Sequence, residues 1–173
     1  MSRPRRNLAR VLFASFASLL VFAAFAAADT AERETYKAAV EPICKANKAA
    51  ADRLLGPVKG LVKKDKLKPA GTAFAKAATE LEKTQKKLAA VPQPPSDSAK
   101  LTKWLSEIKA EVALMRTISK KFLAGDKSKA TSLAVKLQNN ATKANNGVIA
   151  FQFNYCKIDP SKYKLPVASI EVK

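Results

Sequence analysis

Residues 101–122, LTKWLSEIKAEVALMRTISKKF, decide the fold class. Leu101, Trp104, Leu105, Ile108, Val112, Met115, Ile118 and Phe122 recur every three to four positions. That spacing winds them onto one face of an α-helix and leaves mostly polar residues on the other. Asp97 or Ser98 is placed to cap this helix, and Gly125 to end it. Downstream, Asp126 or Ser128 caps a second helix carrying Leu133, Leu137, Ala141, Ala144, Val148 and Phe151 up to Tyr155. Upstream, Pro69 suits a first helical position, and the helix it opens has the stripe Phe74, Ala77, Ala78, Leu81 and Leu88. The run Val91-Pro92-Gln93-Pro94-Pro95-Ser96 stops that helix. Earlier still, a stripe from Tyr36 through Val40, Ile43, Asn47, Ala51, Leu54 and Val58 to Leu61 predicts a helix over about 31–64, bent at Pro42 or Pro57. Nothing between 31 and 155 alternates with a period of two for long enough to make a strand.

Four amphipathic helices with short connections predict an all-α fold, an up-down-up-down four-helix bundle over 29–157. Residues 158–173 carry Pro160 and Pro166 and read as an irregular C-terminal tail. In that topology the start of the first helix and the end of the fourth share a pole. Cys44 and Cys156 then come together, and a structural disulfide is expected. There is no Cys-x-x-Cys pattern to suggest redox chemistry.

The N-terminus reads as an address. Arg3, Arg5, Arg6 and Arg10 precede an apolar run from Val11 to Phe25, and Ala26-Ala27-Ala28 follows it. Basic, apolar and small-residue segments in that order form a secretory signal peptide over 1–28, with the cut expected after Ala28. Arg5-Arg6-Asn7-Leu8 also resembles a twin-arginine signal, which leaves the export route open. The protein is therefore expected to be secreted or extracytoplasmic, in the periplasm or cell envelope.

Charge is the chief clue to function. The chain of 173 residues has 32 Lys and Arg against 14 Asp and Glu, for a net charge of +18. Losing the four arginines of the signal leaves 28 basic side chains against the same 14 acids. The first inter-helix turn carries Lys59, Lys63, Lys64, Lys66 and Lys68 beside Asp65, and the last carries Lys120, Lys121, Lys127 and Lys129 beside Asp126. The predicted topology puts both turns at the pole opposite the disulfide. Such a pole would hold an anionic polymer or lipid surface non-specifically. The alternative is a structural or protein-interaction module of the envelope, whose charge serves solubility only: Lys63, Lys64, Lys120 and Lys121 suit helix C-termini through the macrodipole alone.

Other chemistries find little support. There is no histidine to activate a nucleophile or bind a metal. Glu107 and Glu111 are one helical turn apart but lack the partner motifs of a di-iron site. No glycine pattern makes a phosphate loop, so no cofactor, no metal and no enzymatic activity are expected. The basic residues after Ala28 are nearly all lysine, which argues against sequence-specific nucleic-acid reading. Asn47 and Asn140 fall near apolar stripes, so they could pair as a buried register-fixing contact or line a small polar-ligand pocket.

Tyr36-Lys37, the run Val40-Glu41-Pro42-Ile43-Cys44-Lys45-Ala46-Asn47, and Phe151 to Cys156 together resemble small secreted bacterial helical proteins of uncharacterised function. The resemblance implies export and pairing of the cysteines, and no activity, ligand or catalytic residue.

Overall fold

The computed structural model describes residues 9–166, with side chains from Thr30 onward except Lys162. The stretch read as a signal peptide, 1–28, falls outside the described side chains. The chain is all-helical: α1 (Ala9–Leu55), α2 (Val58–Lys63), α3 (Leu67–Ala89), α4 (Ser98–Leu123) and α5 (Lys127–Gly147), with short 3₁₀ turns at Pro95–Asp97, Ile149–Phe151 and Pro160–Tyr163. Four helices are long, and α2 is a single short piece.

The boundaries follow local chemistry. Pro42 lies inside α1 without ending it, and the break falls instead at Gly56-Pro57. α3 starts at Leu67, two residues ahead of Pro69, because a proline in the first turn removes only an N–H that has no helical partner. Gly125 takes the left-handed φ of +78° that closes α4. Asp126 caps α5 by accepting the backbone N–H of Lys129 at 3.0 Å. Asp97 precedes α4 but makes no capping bond. Its carboxylate turns inward to a forked pair with Arg33, whose Nη2 donates to Oδ1 at 3.0 Å, while Lys100 donates at 3.1 Å. The guanidinium holds the Asp97 carboxyl below its usual range.

α3 packs on α4, α4 on α5, and α1 on α3, whereas α1 and α5 scarcely meet. The space between them is taken by the chain after α5. Phe151 meets the Tyr36 ring edge-on at 6.0 Å, and Phe153 stacks on Phe151 at 5.3 Å and leans on Trp104 at 5.5 Å. Further along, Tyr163 and Leu165 are buried in the same core. The described part of the tail is irregular as expected, yet Tyr163 and Leu165 belong to the core. Asn145 fixes it from α5, donating to the Ile158 carbonyl at 2.7 Å and accepting the Ile158 N–H at 2.9 Å.

Cys44 and Cys156 form a disulfide. It suggests an oxidising, extracytoplasmic setting. Cys44 lies 11 residues before Leu55, about 17 Å along the helix axis at 1.5 Å per residue. The clamp therefore sits partway along α1, and the end distant from the basic turns is held by Arg33 and Asp97. Among the described residues no helix is long and apolar enough to cross a membrane.

Candidate functional site

The lysine-rich corner is built by two turns whose apolar residues point inward. Val58 and Val62 are buried on one side of α2 against α3, which turns Lys59 and Lys63 to solvent. Asp65 then adopts a φ of 51°, a left-handed conformation that aspartate tolerates better than most residues. The reversal delivers Lys66, Lys68 and the start of α3. On the other side Phe122 is fully buried, so Lys120 and Lys121 fall on the outer turn.

The two turns touch. Lys127 donates to Asp65 at 2.5 Å across 62 residues of sequence, and Lys121 lies 3.7 Å from Asp126. Both aspartates of the corner are thereby engaged. Lys59, Lys63, Lys64, Lys66, Lys68, Lys120 and Lys129 are exposed and have no acidic partner among the described residues. Lys120 also lines a groove between α3 and α4 with Lys86, Lys109 and Arg116, where the nearest acid, Glu82, is bonded to Arg116 at 2.6 Å. The positive surface thus continues along one flank of the molecule.

The asparagine pair expected from the sequence is not formed. Asn47 accepts from the Thr84 hydroxyl at 3.2 Å. Asn140 donates to the Glu107 carbonyl at 2.9 Å and to Glu111 Oε1 at 3.4 Å. The reason is the gap between α1 and α5: each amide finds a partner on the helix it does pack against.

Sequence reasoning weighed Glu111 only as a metal ligand and missed its burial. It is fully buried, and its Oε2 has no hydrogen-bond partner among the described residues. Burial raises its pKa to about 8, the Asn140 amide works against that rise, and the nearby charge of Glu107 adds to it. Tyr163, brought in by the tail, has its phenol pushed up by burial and by the neighbouring carboxylates of Glu111, Asp159 and Asp52. The signal was present in the sequence: position 111 falls on the apolar stripe between Ile108 and Met115.

Among the described residues no group of three or more His, Cys, Asp or Glu side chains could hold a metal ion. Comparison with protein-family models, with curated proteins and with solved structures gave no match. The function is therefore read from the chemistry of the site itself.

Proposed function

We propose that this protein is an exported, non-enzymatic binding protein whose lysine-rich corner holds an anionic envelope polymer or membrane surface by charge. The observation that carries this reading is the Lys127–Asp65 bond, which joins two turns far apart in sequence and leaves around it seven exposed lysines without acidic partners among the described residues. Clustered like charges repel one another, so an added polyanion relieves that repulsion and releases its own counterions. An up-down-up-down course of α1, α3, α4 and α5 accounts for the meeting of the two turns. The signal-like N-terminus and the disulfide are both consistent with export.

A second reading has its own support. Lys63, Lys120 and Lys121 lie in last helical turns, where the macrodipole favours cations without any ligand. In that case the charge serves solubility and the protein is a structural or interaction module.

The test replaces Lys63, Lys64, Lys66 and Lys120 together by Gln. Binding to poly-glutamate and to vesicles rich in an anionic lipid should fall at least tenfold, with the melting temperature little changed. Binding by the unaltered protein should vanish near 0.5 M salt, where the screening length is about 4 Å. Binding that survives such salt, or is unchanged in the variant, rejects the electrostatic reading. A lowered melting temperature with unchanged binding would favour the macrodipole account.

A further inference from the structure

A half-enclosed cleft lies where the tail crosses α1 and α3, next to a second cleft that reaches Lys59 of the lysine-rich corner. Its floor is apolar, made by Leu55, Leu81 and Tyr163, all buried. Its rim is polar and of both charges: Asn47, Lys48 and Asp52 from α1, and Lys157 and Asp159 from the tail.

The rim groups are not equally available. Asp52 is bonded by Lys48 at 2.9 Å. Asp159 accepts both the N–H of Ser161 at 3.0 Å and its hydroxyl at 2.7 Å, so this carboxylate shapes its own turn. On the donor side, the oxygen of Asn47 is taken by Thr84, while its amide nitrogen and the Lys157 ammonium have no hydrogen bond or ion pair with any described residue. The acids are engaged but keep their charge, which Lys48 and Lys157 balance on the rim, and two donors are open. Beyond Asp52 an adjoining cleft carries Lys59 and Lys164, which adds positive potential. The excess of Lys59 and Lys164 over the balanced rim, with the two open donors, is what favours an anion.

Size limits the ligand further. About 50 Å³ of the cleft is open to the centre of a water molecule. At roughly 10–15 Å³ per water, that is room for about three to five waters, enough for a short hydrocarbon tail whose charged end stays at the open rim. An apolar floor below a pair of donors suits a molecule with one charged end and a short hydrocarbon tail.

We infer that this cleft is a binding site for a small monocarboxylate, with the carboxylate held by Asn47 and Lys157 and the hydrocarbon tail laid on Leu55, Leu81 and Tyr163. A ligand this small binds in the millimolar range.

Butyrate is the probe, titrated into the oxidised protein and followed by amide NMR. Saturable shifts at the Asn47 side-chain amide and the Ile158 backbone amide are expected, and butylammonium, matched in size but cationic, should produce none. Ala51 lines the cleft and is only half-buried, so Ala51→Leu should fill the space and abolish the butyrate shifts without unfolding the protein. Lys157→Gln, at an exposed position, should weaken binding about tenfold, as loss of one charge-assisted bond does. The Lys63/Lys64/Lys66/Lys120→Gln variant should bind butyrate like the unaltered protein, which separates this site from the polyanion corner. The inference is overturned by absence of saturable shifts, by equal binding of butylammonium, or by a folded Ala51→Leu variant that still binds.

Discussion

Replacing Glu111 by Gln removes the proton that a buried carboxyl must hold while keeping the shape of the side chain. Glu111 has no exposed surface, and burial raises its pKa from 4.5 to about 8. Between those values the folded chain holds a proton that the unfolded chain has lost. Stability must then fall as pH rises, at about 1.4 kcal/mol per pH unit. The whole effect is present below pH 4.5 and spent by about pH 8, an upper bound of about 5 kcal/mol. For a domain of this size that is a drop of roughly 10–20 °C in melting temperature. The window is simplified because the chain has no histidine and Asp97 is held below it by Arg33. The assay is thermal unfolding followed by circular dichroism from pH 5 to pH 8.5. The unaltered protein should lose stability steadily across that range, and Glu111→Gln should be nearly flat. The two should lie close together at pH 5, with the variant clearly the more stable at pH 8.5. Parallel curves would refute the reasoning and place the carboxyl in contact with water.

Two further outcomes follow from the packing. Cys44 and Cys156 close a separation of 112 residues, so the Cys44→Ala/Cys156→Ala pair should lower stability by up to about 4–5 kcal/mol on chain entropy, read from denaturant unfolding with and without reductant. A methyl group on Gly71 would meet the Leu123 side chain and the Ser119 carbonyl at 2.9 Å, so Gly71→Ala should cost about 1–3 kcal/mol, whereas Gly60→Ala, with open space around it, should be neutral or slightly stabilising in the same melts.

The helices were legible because their apolar stripes are long and regular. α4 is the clearest case: every residue of its stripe from Leu101 to Phe122 is buried. The disulfide was legible from its two cysteines. Other features depended on distance in space that sequence does not record. Asp97 looked like a cap, but a guanidinium 64 residues away outcompetes a local N–H for its carboxylate. The Asn47–Asn140 pairing assumed that α1 and α5 are neighbours, and the tail displaces that contact. Tyr163 and Leu165 were read as part of an irregular tail because Pro160, Pro166 and charged residues surround them, which hides a pair of core side chains among turn signals. Glu111 was weighed for metal chemistry and discarded, although its position on the stripe marked it as interior. Of the lysine corner, the membership came from the sequence, and the Asp65–Lys127 bond that ties its halves together needed coordinates.

The strap formed by residues 152–165 has a bearing on how the chain reaches its final state. A polypeptide growing from its N-terminus makes α1, α3, α4 and α5 before the segment that seals Glu111 and Trp104 from water. Until Tyr163, Leu165 and Phe153 arrive, the helices share an open seam lined by apolar groups and a carboxyl that prefers solvent. Completion waits on a late segment and on an oxidant for Cys156. A chain held without either stays loosely assembled, with its core seam open until the last segment docks and the clamp closes.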